Sequence, residues 1–392
     1  MRVMILGGDG FCGWPASLHL SQRGHDVIIV DNLARRASDR ELGVESLTPI
    51  RPLEERLRAW KAVSGRRIDF HLLDIAHDFE ALVEVMREEG PEAIVHAAGQ
   101  RASPDSIRST WHRRYTVDNN VNATHTVLCA MAEASPDVHL VHLGSLGVYG
   151  YGRFRGLPLP QGYISATLRS GNVEAAAEFL FPPEPVGICH LTEAQGTLLF
   201  QFYARSDRLR ITDLRQGIVW GVDTDQTRLD ERLVNRFDYD GDHATVLNRF
   251  LAQAAMGLPL TVHGSGRQTR AFIHLADMVR CIEWALETPP PRGERMRILN
   301  QLTETHRVID LAHRIADATG AAVVARDNPH GGEAADNDLA VANDTLGHLG
   351  GQPLRLSERL MEEVIDTVCR WSDRCDHARL ADSGSRSLPF PP

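Results

Sequence analysis

The stretch 1–31 constrains this chain more than any other. An apolar run, Val3-Met4-Ile5-Leu6, meets the turn Gly7-Gly8-Asp9-Gly10-Phe11-Cys12-Gly13. A helical pattern follows to Leu20, and a second apolar run, Val27-Ile28-Ile29-Val30, ends at Asp31-Asn32. The three spaced glycines have separate duties. Gly7 permits the tight turn, Gly10 lets a pyrophosphate approach bare backbone, and Gly13 lets helix and strand pack closely. The helix N-terminus then offers N–H groups to the phosphate charge. Asp31 can accept both hydroxyls of an adenosine ribose, which points to NAD, while Arg35 and Arg36 nearby leave NADP open. Phe11, Cys12 and Asn32 complete the expected bed. A lone glycine triplet would also suit a structural turn; strand, glycines, helix, strand and acid in order point to a bound dinucleotide.

The pattern continues as alternating strands and helices, the mark of an α/β fold with a Rossmann-type doubly wound parallel sheet. A third strand over 68–73 ends at Asp74-Ile75, a pair that either touches the adenine or is plain loop. After a helix over 79–89 and a strand over 93–97, Gly99-Gln100-Arg101 stands at the sheet edge where such folds bind ligands. A helix over 117–133 carries Asn119, assigned here to the cofactor. The fifth strand, 138–143, leads to Gly144-Ser145. Residues 151–186 are Gly- and Pro-rich with little periodicity and read as an active-site loop or lid. A helix over 188–206 and a strand over 211–215 complete an expected dinucleotide domain of 1–215. From Gln216 the composition changes, so 216–376 reads as a smaller mixed substrate lobe, some of whose elements return to the first. Residues 377–392 read as a disordered tail.

At 392 residues the chain has room for two lobes sharing a core. A net charge of −10 argues against a nucleic-acid partner. Six scattered cysteines without a Cys-x-x-Cys pair suggest reduced thiols, no metal site and a cytoplasmic protein. The chain opens on a strand, so no signal peptide is expected, and no apolar run reaches membrane-spanning length. The expected partners are a small-molecule sugar or nucleoside and a second copy of the chain, in a homodimer or higher homo-oligomer.

Several stretches carry a resemblance: Gly7-Gly8-Asp9-Gly10-Phe11-Cys12-Gly13-Trp14, Val30-Asp31-Asn32-Leu33, Gln100-Arg101, Leu247-Asn248-Arg249-Phe250 and Gly266-Arg267-Gln268-Thr269-Arg270. Together they resemble the extended short-chain dehydrogenase/reductases that act on sugars, and within them the UDP-sulfoquinovose synthase family. The resemblance implies an NAD-dependent enzyme that oxidises a hexose at C4, eliminates water across C5 and C6, and in that family adds sulfite to the enone. It also implies substrate-side roles for Arg101, Gln216, Asn248 and Arg270.

The family's catalytic positions are not all kept. Its threonine at the end of strand five is Ser145 here, and the glutamate three residues later is Val148. Its Tyr-x-x-x-Lys falls on Cys189-His190-Leu191-Thr192-Glu193, so tyrosine has become Cys189 and lysine Glu193. A carboxylate one turn away raises a thiol's pKa, which makes Cys189 a better apolar filler than a base. Glu193 is the better proton acceptor or ribose anchor, with a surface helix glutamate as the alternative. His190, kept from the family, can take the C5 proton or protonate the leaving C6 hydroxyl, or simply bond the backbone. Arg101 can hold a developing oxyanion or serve in a salt bridge. Tyr149 is a packing residue or a substitute base. The family's Asn-Pro-Arg is Asn328-Pro329-His330 here, and a neutral histidine lacks the permanent charge and fork of arginine. These losses favour a dehydratase acting on a hexulose nucleoside. A UDP-sulfoquinovose synthase proper and an inactive NAD-binding protein are the alternatives.

Overall fold

The computed structural model of the chain describes residues 1–101, 106–150, 157–185, 187–241, 243–327, 339–343, 347 and 352–381. Its centre is a seven-stranded parallel sheet. The strands are β1 (Arg2–Leu6), β2 (Asp26–Asp31), β3 (Ile68–Leu72), β4 (Ala93–His96) and β5 (His139–Ser145), then, beyond the hairpin described below, β8 (Arg210–Gln216) and β12 (Arg297–Gln301). Their order is β12-β8-β5-β4-β1-β2-β3, reversing direction at β1, and every pairing is parallel. The apolar run in β1 is buried on both faces because helices cover both sides. Val3 and Ile5 enter one core with Trp14 and Leu18, while Met4 and Leu6 enter the other with Leu82 and Val127.

The covering helices are α1 (Gly13–Gln22), α2 (Ala34–Leu42), α3 (Leu53–Ser64), α4 (Phe79–Glu89), α5 (Thr110–Ala134) and α6 (Ile188–Ser206). Helix α5 begins seven residues before the expected 117. Ser109 caps it by accepting from the His112 N–H, and the first turns are charged and aromatic without apolar periodicity, so pattern alone does not reveal them.

The expected loop or lid over 151–186 is corrected in part. Residues 157–185 contain the antiparallel hairpin β6 (Tyr163–Ser170) and β7 (Val173–Leu180), closed by the two-residue turn Gly171-Asn172 with Gly171 at φ +58°. Gly-Asn is a hairpin-turn signal, and it was available in the sequence.

The second lobe holds β9 (Ile218–Trp220), β11 (Thr269–His274) and β13 (Glu304–Arg307) in one small sheet, with β10 (Leu260–His263) beside β14 (Val323–Arg326) in another. Helices α7 (Val246–Ala255), α9 (Val308–Thr319) and α10 (Glu358–Arg370) pack around Trp220, Phe250 and Phe272. Helix α8 (Leu275–Glu287) returns to the first lobe, where Glu283 bonds His19 of α1 at 2.8 Å. The expected disorder from residue 377 is corrected at its start. A short helix, α11 (His377–Ala381), seats Leu380 in the second-lobe core, and Gln253 Nε2 donates to the Leu380 carbonyl at 3.2 Å.

Candidate active site

The C-terminal ends of β1, β2 and β4 surround a cavity of about 360 Å³ at the point where the strand order reverses. Gly7, Gly10, Phe11, Cys12, Gly13, Asp31, Asn32, Arg35, Asp74, Ile75, Arg101, Asn119 and Asn248 all line it. The residues expected to hold the cofactor thus lie, for the most part, around one cavity. At Gly13 any Cβ would stand 2.1 Å from the Gly7 carbonyl oxygen, and Gly7 itself sits at φ +82°. Gly7, Gly10 and Gly13 thus bring bare backbone to the cavity wall, the condition for a pyrophosphate to reach the N–H groups at the start of α1. Burial pushes the Cys12 thiol up to about 11, which keeps it neutral beside that charge.

Asp31 accepts from the Leu33 N–H at 2.7 Å and from the Asp9 N–H at 2.9 Å. Burial pushes its carboxyl upward, against the pull of those two donors. The allowance made for NADP is corrected by the arginines. Arg36 does not line the cavity; it grips Asp9 with two bonds of 2.6 and 2.8 Å. Arg35 is held by Asp39 and Asp238, each at 2.9 Å. With both guanidinium groups committed to carboxylates, the ribose end suits NAD. Sequence reasoning missed the partners. Asp9 also binds the buried Arg56 at 2.9 Å, whose guanidinium lies 3.8 Å over the Trp14 ring and is brought down to about 9 by burial.

The other candidate residues lie toward β5 and α6. Ser145 ends β5, and its Oγ accepts from the Gly147 N–H at 3.0 Å, which caps the turn Leu146–Tyr149. In register with it stands Gln216 on β8. The Gln216 amide nitrogen is buried without a hydrogen-bond partner. Glu193 does not line the main cavity. It sits behind Arg101, which faces both that cavity and a pocket of about 10 Å³ shared by Glu193, His142, Asn120 and Thr192. Arg101 Nη1 is 3.3 Å from Glu193 Oε1 and also donates to the Leu143 carbonyl. Arg101 therefore has its salt bridge and its cavity face together.

His190 packs against Gly147, where a Cβ would fall 2.3 Å from its ring. Burial lowers its pKa, Glu193 opposes this, and Arg270 adds to it. Cys189 is buried, and its carbonyl accepts from Thr192 Oγ1 at 2.7 Å. Arg270 donates to the Thr269 carbonyl at 3.0 Å. Tyr149 as a base is corrected. The residue is buried beneath the site, its hydroxyl donates to Asn300 Oδ1 and accepts from the Gly162 N–H, both at 2.9 Å, and burial raises its pKa. His330 lies outside the described residues. Among the described residues no cluster of His, Cys, Asp or Glu could hold a metal, and no helix is long and apolar enough to cross a membrane.

The model of the NAD dependent epimerase/dehydratase family matches residues 3–298. The chloroplastic UDP-sulfoquinovose synthase of Spinacia oleracea is 39% identical over 389 residues, covering 98% of this chain and 79% of the relative. That of Sulfolobus acidocaldarius is 35% identical, covering 81% of this chain and 79% of the relative. Among solved structures, the UDP-glucose 4-epimerase of Thermotoga maritima with UDP-glucose superposes with a TM-score of 0.70 at 19% identity, covering 94% of this chain and 99% of that one.

Proposed function

The chain belongs to the NAD dependent epimerase/dehydratase family, and from that premise we propose that it works on a sugar nucleotide in the manner of a UDP-sulfoquinovose synthase. The reaction would oxidise a UDP-linked hexose at C4, eliminate water across C5 and C6, add sulfite to the enone and reduce C4 again. The sequence alone puts a hexulose nucleoside first. Similarity to two curated synthases along most of the chain supports the sugar nucleotide over it.

The observation that carries the reading is Arg101, which fronts the dinucleotide cavity with a buried carboxylate directly behind it. Bound NAD supplies a reversible hydride acceptor, and this chain's residues do the rest. The turn from Gly7 to Gly13 binds the pyrophosphate and Asp31 the adenosine ribose. Asp74 and Ile75 border the adenine. Arg101, in the turn after β4 on the other side of β1 from Asp31, would meet the substrate there. Its fixed positive charge stabilises negative charge developing on a substrate oxygen, and Ser145 orients the hydroxyl. Glu193 takes the role left by the missing tyrosine and lysine, with Cys189 as filler. Burial keeps the His190 imidazole neutral, so it suits taking the C5 proton better than giving one.

Incubation with NAD, UDP-glucose and sulfite, followed by mass spectrometry, tests this directly. Formation of UDP-sulfoquinovose is the expected result. The nucleoside reading keeps one specific support, the exchange of the tyrosine and lysine for Cys189 and Glu193. Loss of ~18 mass units from a hexulose nucleoside, with UDP-glucose untouched, would establish it instead. We also propose a homodimer through α5 and α6, because Trp111, Leu198 and Phe202 stand 60%, 55% and 62% exposed there. Sedimentation at micromolar concentration should give the mass of two chains.

A further inference from the structure

Beneath Arg101 runs a buried line of ionisable groups, and the sequence reading had named only its first two members. Arg101 Nη1 lies 3.3 Å from Glu193 Oε1, and Glu193 Oε2 lies 3.5 Å from His142 Nε2. His142 Nδ1 is 2.9 Å from Asp213 Oδ1, and Asp213 Oδ2 accepts from Arg215 Nε at 3.0 Å. The side chains of Glu193, His142, Asp213 and Arg215 are 9%, 5%, 3% and 2% exposed. Five groups from four places in the fold, the turn after β4, α6, β5 and β8, thus form one chain.

Hydrogen-bond chemistry fixes where the protons lie. Burial pushes the Asp213 carboxyl up, but its bond from His142 and the charge of Arg215 together hold it below the usual carboxylate range. An ionised Asp213 can only accept, so the proton between it and His142 belongs to Nδ1. A neutral His142 would then turn a bare Nε2 lone pair toward Glu193 Oε2. At 3.5 Å the contact is longer than a hydrogen bond, and Glu193 Oε2 is buried without one among the described residues, so two bare acceptors there would leave both atoms unsatisfied. Either His142 is an imidazolium beside a carboxylate, or it is neutral beside a carboxylic acid. The charges favour the first, since it alternates plus, minus, plus, minus, plus from Arg101 to Arg215. The other groups facing His142 do not upset this. His96 on β4, with its ring 5.3 Å away, is held neutral by burial, with His142 and Arg101 lowering it further. It bonds Thr124 Oγ1 on α5 at 3.2 Å, and the uncharged Phe200 ring packs on His142 from α6.

We propose that Glu193 and His142 share one resident proton, held in place by Asp213, and that this pair is the proton store of the reaction. The inference rests on the reading of the site as one that oxidises a hydroxyl and later restores it. In the resting enzyme the proton sits on His142 Nε2 and Glu193 is a carboxylate. When the substrate O–H bond breaks, that proton forms a new O–H bond on Glu193, so the pair holds two protons, as imidazolium and carboxylic acid. It returns to the substrate oxygen when the carbonyl is reduced, and the count closes. A pocket of about 10 Å³, lined by Gly99, Arg101, His142 and Glu193, adjoins these groups and has space for one water at most. His142 and Asp213 do not line the dinucleotide cavity; they are positioning residues that set the charge of Glu193.

Nitrogen-15 NMR of the His142 ring in the NAD-loaded protein reads the arrangement without any turnover. From pH 5 to 9 the wild-type should show a proton on Nδ1 throughout and a charged ring at neutral pH. Glu193→Gln removes the facing charge and should take the proton off His142 Nε2 at neutral pH. His142→Gln retains a donor near Glu193 but cannot carry the charge; it should remove one ionisation from the pH profile of kcat and leave KM within about threefold. A wild-type His142 that is neutral at pH 7 beside an ionised Glu193, or a bare Nδ1, would overturn the proposal even if no variant folds. Should UDP-glucose and the nucleosides all go unreacted while the NMR result holds, the functional reading fails and the shared proton stands.

Discussion

The proposed bed for the dinucleotide takes Gly7, Gly10, Gly13 and Asp31 from one stretch of 31 residues, whereas the proposed catalytic side gathers Arg101, Glu193, His142 and Asp213 from four separate elements. The first is set by backbone: a turn with no room for a Cβ, a helix N-terminus and one acid. The second is set by side chains whose charges have meaning only in each other's company. Backbone geometry tolerates few substitutes, so the glycine turn is recognisable by eye. Charge geometry tolerates many, provided the alternation survives.

The contrast can be broken most sharply at Gly13. Gly13→Ala forces a Cβ onto the Gly7 carbonyl, and NAD affinity should fall by about a hundredfold or more. Calorimetry showing unchanged affinity would mean that the turn is looser than described. On the catalytic side, Glu193→Gln should reduce turnover by about a hundredfold while NAD affinity holds within about threefold. A parallel loss of NAD affinity would make Glu193 a ribose anchor instead. Asp31→Ala should weaken NAD binding by about tenfold, with NADP remaining the poorer ligand because Arg35 and Arg36 stay paired.

Acid should act on two histidines buried away from the cofactor bed. Burial brings His139 and His274 down to about 4 in the folded chain, against 6.5 for an ordinary imidazole. Between those values the unfolded chain binds more protons, so stability is lost as the pH falls from 6.5 toward 4. Urea midpoints at pH 7 and pH 5 should differ by about 2 kcal/mol or more of stability; equal midpoints would contradict the burial. The smallest effect belongs to Cys189→Ala, for which turnover should stay within about threefold of wild-type. A dead Cys189→Ala enzyme would move the base to the thiol.

Arg36 and Tyr149 show how far single residues mislead. In the sequence Arg36 is a cation near a ribose site and Tyr149 a phenol near a catalytic strand. In the fold Arg36 is spent on Asp9, and the Tyr149 hydroxyl is engaged by Asn300 and Gly162. The three partners lie 27, 151 and 13 positions away, and no motif announces any of the pairings.

The sequence by itself determined the parallel sheet, the dinucleotide turn and the acid at Asp31. Each depends on contacts within about thirty residues, or on a periodicity that one strand or helix expresses alone. Tertiary structure decided everything that depends on long-range pairing. It placed β12 and α8 in the first lobe, folded 157–185 around a hairpin, and set His142, a mid-strand residue with no motif around it, between Glu193 and Asp213. A histidine's proton is governed by what faces its two nitrogens, and those neighbours come from α6 and β8, 51 and 71 positions along the chain.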